Sequence, residues 1–121
     1  MDPVEPLGPL EARVMAALWA TGTGTAREVC SALGEEWAYT TIMTTVDRLH
    51  KKDLLVREKE GLAWRYRPAL DREAFERARV DALASRLLGE RKDLGLAALV
   101  DAADAATLDR LAALIEARRR P

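Results

Sequence analysis

Histidine and cysteine occur once each in this 121-residue chain, as His50 and Cys30. A single cysteine excludes an intrachain disulfide and a thiolate cluster. A zinc or copper site would have to be built from Cys30, His50 and carboxylates alone, so neither a metal site nor a cofactor is expected. The same shortage leaves no nucleophile–base constellation. Gly22 and Gly24 lie in a short loop without the lysine or flanking strand of a phosphate-binding loop. The expectation is therefore a protein that is not an enzyme. No apolar run approaches the roughly 18 residues of a membrane-spanning helix. The opening stretch, Met1-Asp2-Pro3-Val4-Glu5-Pro6, is acidic and proline-rich, without the basic and apolar stretches of a signal peptide. A cytoplasmic location with no membrane partner is the expectation.

What the chain does have is a large apolar share, 49%, beside 32% charged residues, which suits a soluble fold with a real core. Its length fits one ordinary domain, or a small domain with an added helical segment. The net charge is −1, but the charge is unevenly spread. Residues 1–38 carry two bases against six acids, residues 39–67 seven bases against four acids, and residues 68–121 ten of each. A localised basic surface is the footprint of nucleic-acid binding, although an excess this small is a weak signal by itself.

The first helix is marked by Gly8 as cap, Pro9 at the first helical position and Glu11 near the positive end of the dipole. Leu10, Val14, Ala17 and Leu18 form its apolar face. Thr21-Gly22-Thr23-Gly24 interrupts the pattern. Thr25 and Glu28 then make a capping-box pair ahead of a short helix with Ala26, Val29, Cys30 and Leu33 on one stripe, which places Cys30 in the core.

The segment from Ala38 to Lys52 holds a conflict. Six of the seven residues Thr40–Val46 are β-branched, which favours a strand. Ile42, Val46 and Leu49 nevertheless repeat at helical spacing, and strict alternation fails at Thr44. The periodicity predicts a helix over about 39–52 whose opposite face carries Thr40, Thr41, Thr44, Asp47, Arg48 and Lys51. Short hydroxyls beside Arg and Lys suit phosphates and base edges in a major groove. An ordinary solvated helix face fits this segment, taken alone, equally well.

Two strands follow, with Glu60-Gly61 read as the turn between them. In the second, Leu62, Trp64 and Tyr66 alternate with Ala63, Arg65 and Arg67, and Pro68 ends it. The hairpin, at about 55–67, would present Arg57, Lys59, Arg65 and Arg67. Three short helices, the third with a polar and basic outer face, followed by a basic hairpin give the order of a winged helix-turn-helix over residues 8–70. The fold class expected is mainly α with a small β-hairpin wing.

Residues 71–121 read as helical. Asp71 caps a long helix through Leu88 with Val80, Leu83, Ala84 and Leu87 as its stripe, and Gly89 ends it. Leu94 to Val100 is short and apolar. Thr107 is read as the cap of a last helix with Leu108, Leu111, Leu114 and Ile115 inward, and Arg118-Arg119-Arg120 complements its C-terminal dipole. These helices could fold back on the winged domain or pack on the same helices of a second chain. The second reading is preferred, because such a module needs two half-sites for useful affinity. Leu83, Leu87, Leu99, Leu108, Leu111 and Ile115 are the expected dimerisation residues.

Several stretches together resemble the penicillinase-repressor (BlaI/MecI-like) type of transcriptional regulator. They are Leu10-Glu11-Ala12-Arg13-Val14-Met15 through Leu18-Trp19, Thr25-Ala26-Arg27-Glu28-Val29, Trp37-Ala38-Tyr39-Thr40-Thr41-Ile42-Met43-Thr44, Arg48-Leu49, Lys52-Asp53-Leu54-Leu55 and Trp64-Arg65-Tyr66-Arg67-Pro68. The resemblance covers residues 8–70 strongly and the C-terminal helices loosely. It implies a homodimer whose winged helix binds a double-stranded inverted-repeat operator and represses transcription, dimerised by its C-terminal helices. Carried over, Thr40, Thr41, Thr44 and Arg48 contact DNA, with Lys51 near the helix end and Tyr39 on a phosphate.

Three departures stand out. Asp53 replaces the family's glycine after the recognition helix, and aspartate tolerates a left-handed backbone better than most residues. The best-known members are released by a signalling protease that cuts an Asn-Phe bond, and Leu99-Val100 aligns there, so the cleaved pair is missing. The paired C-terminal cysteines of copper-responsive relatives are absent, which excludes that sensing route. The competing reading is a winged-helix protein-interaction module. The Thr/Arg/Lys face favours DNA, since protein-binding surfaces show more aromatic and apolar anchors.

Overall fold

The computed structural model describes residues 7–121; the acidic, proline-rich stretch at 1–6 lies outside the described residues. The chain divides into two compact units, one ending at Val80 and one spanning Asp81–Pro121. The expected boundary at 70–71 falls ahead of the helix in which this division lies.

In the first unit, α1 (Pro9–Thr21) is capped by Gly8, whose N–H donates to Glu11 Oε1 at 2.9 Å. It ends at Gly22, with φ 86°. Gly24–Thr25 forms β1, and α2 (Ala26–Ala32) follows at once. The capping box is present: Glu28 N–H donates to Thr25 Oγ1, and Thr25 N–H to Glu28 Oε1, both at 3.2 Å. α3 (Tyr39–Lys51) is helical as its periodicity predicts. Asp53 then takes φ 63°, the left-handed conformation expected of it. β2 (Leu55–Glu60) and β3 (Ala63–Pro68) are antiparallel.

Val14, Met15, Leu18, Ala26, Val29, Ile42, Val46, Leu49, Leu55 and Tyr66 form one core. Each fully buried aliphatic side chain there contributes about 1.5–3 kcal/mol. Cys30 is half-buried against that core, and its thiol donates to Trp37 O at 3.4 Å.

Several expectations need correction. The hairpin is part of a three-stranded sheet, ordered β1-β3-β2, with Gly24 opposite Tyr66 and Thr25 opposite Arg65. Glu60 pairs with Ala63, so the turn is Gly61-Leu62 rather than Glu60-Gly61. Gly61, at φ 61°, supplies the positive angle at the first turn position. The buried stripe of α1 is Glu11, Val14, Met15 and Leu18; Leu10 and Ala17 are only half-buried. Burial of Val14, Met15 and Leu18 sets this face, and Glu11 is tolerated on it because its carboxylate is paired with Lys52.

α4 (Arg72–Leu87) is capped by Asp71, whose Oδ1 accepts from Ala74 N–H at 2.7 Å. Within the first unit Phe75 packs on Trp19, ring centroids 5.2 Å apart, and Trp19 Nε1 donates to Leu70 O.

The second unit holds the end of α4, α5 (Lys92–Ala102) and α6 (Ala105–Arg119). A Cβ on Gly95 would come within 2.6 Å of Leu87 O, so only glycine allows this approach. The cap of α6 is Asp104, whose Oδ1 accepts from Thr107 N–H at 2.7 Å; Thr107 itself is not the cap. No side chain in 81–121 is buried. Leu83, Leu87, Leu99, Leu108 and Ile115 are 37–49% exposed, and Leu111 is half-buried.

Candidate nucleic-acid interface

α3 overrides its strand propensity through tertiary burial. Ile42, Val46 and Leu49 are fully buried, and Thr45 is 4% exposed. Thr45 Oγ1 donates to Thr41 O at 2.8 Å and Thr44 Oγ1 to Thr40 O at 2.9 Å, so the threonines satisfy themselves within the helix. With about 3.6 residues per turn, burying these four turns Thr40, Thr41, Thr44, Arg48 and Lys51 outward, and all five are exposed. Tyr39 is half-buried at the helix start.

This outward ridge runs between two grooves. One separates it from the start of α1 and is lined by Gly8, Leu10, Thr41, Thr44 and Arg48, among others. The other lies between α3 and the hairpin, with Arg27, Tyr39, Met43, Asp47, Arg57 and Trp64 on its walls. Each groove has a different electrostatic character.

On the α1 side, Arg48 makes no ion pair among the described residues. Behind it Lys52 Nζ meets Glu11 Oε2 at 3.0 Å, the side chains 18% and 8% exposed. Burial pushes the Glu11 carboxyl upward, but the Gly8 N–H and Lys52, with Arg48 adding its field, more than offset this and hold it below its ordinary value.

On the hairpin side, most cations are already engaged. Asp47 takes Lys51 at 3.0 Å and Arg57 at 3.3 Å. The Lys51 hydrogen bond chiefly keeps the Asp47 carboxyl below its ordinary range, against a smaller opposing effect of burial, with Arg57 adding to it. Arg57 and Lys59 lie over the Trp64 ring, 4.2 and 4.6 Å from its centroid. Arg65 does not project freely as expected. Its guanidinium holds Glu60 at 2.8 Å and Glu28 at 3.0 Å, and these bonds, Glu60's first, raise its pKa further. Glu28 is lowered mainly by Arg65 and then by Thr25 N–H. Arg67 is exposed.

The structure thus brings Tyr39, Thr40, Thr41, Thr44, Arg48 and Lys51 onto one ridge, with Arg57 and Lys59 beside it, and withdraws Arg65. Sequence reading missed Arg27, whose guanidinium lies over the Tyr39 ring at 4.4 Å. Its position opposite the Ala26/Val29 stripe marks it as exposed, but nothing local in the chain points to Tyr39. Among the described residues no group of three or more His, Cys, Asp or Glu side chains could hold a metal ion, and no helix is long and apolar enough to cross a membrane.

A family profile described as penicillinase repressor matches residues 7–117. The chain is 44% identical over 82 residues to the transcriptional regulator BlaI of Mycobacterium tuberculosis, an alignment spanning 64% of this chain and 59% of that relative. Among solved structures, the DNA-binding domain of the repressor BlaI superposes with a TM-score of 0.52 at 31% identity, covering 60% of this chain and 90% of that one. A mutant of MarR from E. coli gives a TM-score of 0.51 at 14% identity over 94% of this chain and 79% of that one, a likeness of fold alone.

Proposed function

From the premise that this chain belongs to the penicillinase-repressor family, we propose that it is a winged-helix transcriptional repressor binding double-stranded DNA in the cytoplasm as a homodimer on an inverted repeat. α3 enters the major groove, with Thr40, Thr41, Thr44 and Arg48 at base edges and phosphates and Lys51 near its end. Tyr39 meets the backbone, and the hairpin lies on flanking DNA through Arg57 and Lys59. The carrying observation is α3 itself, a helix with one face sealed in the core and an opposite ridge of threonine hydroxyls and bases. A signalling protease is left out of the proposal. Leu99-Val100 lies inside α5 and carries neither residue of the family's cleaved pair.

The test is selection from a random duplex pool over a salt series, with sequencing of what is retained. An inverted repeat with half-sites about one helical turn apart supports the dimeric reader. Binding without shared sequence, falling steeply with salt, reduces the proposal to phosphate attraction. No retention at low salt overturns it and transfers the surface to a protein partner, for which exposed Leu62, Trp37 and Met43 would be the apolar anchors. On the selected site, Arg48→Ala should cost about 1–3 kcal/mol of binding with an unchanged melting temperature. Unchanged affinity would remove α3's α1-side edge from the interface.

A further inference from the structure

We infer that Arg27 anchors a DNA backbone phosphate beside the start of α3, and that Arg65 acts instead as a positioning residue that ties the wing to α2. This rests on the DNA-binding reading above and redistributes the charge within it. The two arginines flank the same part of the molecule but differ in what their planar forks are free to do.

Arg65 has four of its five N–H donors engaged. Nε and Nη2 donate to Glu60 Oε2 at 3.1 and 2.8 Å, while Nη1 and Nη2 donate to Glu28 at 3.0 and 3.2 Å. One cation held by two carboxylates is a net negative cluster. A phosphate that captured Arg65 would leave Glu28 and Glu60 facing the DNA, a like-charge juxtaposition that opposes binding. Glu28 also closes the capping box of α2, so the cluster joins β3, the end of β2 and the first turn of α2.

Arg27 has the opposite arrangement. It is exposed on α2 and makes no ion pair among the described residues. Its guanidinium carbon lies 4.4 Å from the centroid of the Tyr39 ring, and no hydrogen bond or ion pair among the described residues engages its N–H groups, which leaves them available for a bidentate phosphate contact. The ring contact orders a long side chain before binding, so less rotamer freedom remains to be lost on the DNA. Its place fits the docking geometry, because the helix before a recognition helix crosses the backbone. It also opens on the groove between α3 and the wing.

The experiment is a salt titration of the full-length protein on a fluorescent non-specific duplex, read as the slope of log affinity against log salt. Wild type, Arg27→Ala, Arg27→Lys and Arg65→Ala are compared, with folding checked by circular dichroism. Each lost phosphate contact reduces the slope by about 0.9. Arg27→Ala should show that reduction per bound protomer at a wild-type melting temperature, and Arg27→Lys should restore the slope. Arg65→Ala should keep the wild-type slope while melting earlier. A wild-type slope in Arg27→Ala, or a reduced slope in Arg65→Ala, overturns the inference while leaving DNA binding standing. Wild type failing to bind duplex at low salt overturns both.

Discussion

Glu11 sits in the first turn of α1 and neutralises Lys52 at the end of α3, 41 positions away. Removing one partner of a buried pair strands the other charge, so Glu11→Gln should lower stability by about 1–3 kcal/mol. The pH dependence follows from the direction of its shift. The folded carboxyl binds its proton less tightly than the unfolded one, whose ordinary value is 4.5. Its contribution is therefore fully present above that value and fades as pH falls through the lower folded pKa. Urea melts at pH 7 and pH 3 should show the gap between wild type and Glu11→Gln shrinking in acid; a constant gap would mean the charge is not what matters. Asp53 holds φ 63°, a conformation that costs an L-residue about 1–2 kcal/mol and glycine far less. Asp53→Gly should accordingly raise the melting temperature, and a fall would assign the Asp53 side chain a stabilising role of its own. The φ sign at 53 was legible in the sequence. The Glu11–Lys52 pair was not, because Glu11 has an equally good local explanation as a dipole-favouring residue.

At the scale of elements, α3 shows two local signals in conflict and why one prevails. β-branched propensity acts on each residue by a few tenths of a kcal/mol, whereas burial of Ile42, Val46 and Leu49 acts by about 1.5–3 kcal/mol each. The helix tolerates threonines that dislike it, and it retains them on the outward ridge. Thr44→Ala should thus stabilise the protein by about 0.5 kcal/mol while weakening DNA binding, measured by thermal melts and anisotropy on the same variant. Tighter binding by that variant would mean the hydroxyl faces no DNA. The strands were legible in position but not in number. β1 is two residues long and has no pattern of its own, and only its pairing with β3 makes it a strand. The turn slipped by one residue because Gly61 can serve either the first or the second position of a two-residue loop, and strand register decides which.

At the scale of the molecule, the two units differ in kind. The first encloses a core; the second, 81–121, buries no side chain and leaves Leu83, Leu87, Leu99, Leu108 and Ile115 exposed. Apolar exposure on that scale suits an interface with a second copy, as the proposed homodimer requires. Ile115→Glu should convert dimer to monomer in sedimentation and weaken operator binding in parallel. Ile115 is the cleaner choice over Leu111, which is half-buried already. An intact dimer would place the interface elsewhere. The helices of this unit were legible in the sequence, but Leu108, Leu114 and Ile115, read there as inward, are exposed in the fold.

What the sequence determined by itself is whatever depends on neighbours within a turn or two: the helices, the Gly8 and Thr25 caps, the hairpin and the polar ridge of α3. Periodicity and capping are local, so the chain carries them openly. The tertiary structure decided which charges remain free to meet a ligand. Lys52 is taken by Glu11 and Arg65 by Glu28, across separations of 41 and 37 positions, while Arg27 is left on Tyr39 with its donors open. Charge can be counted along a chain, but neutralisation is a matter of distance in space, and folding alone sets those distances.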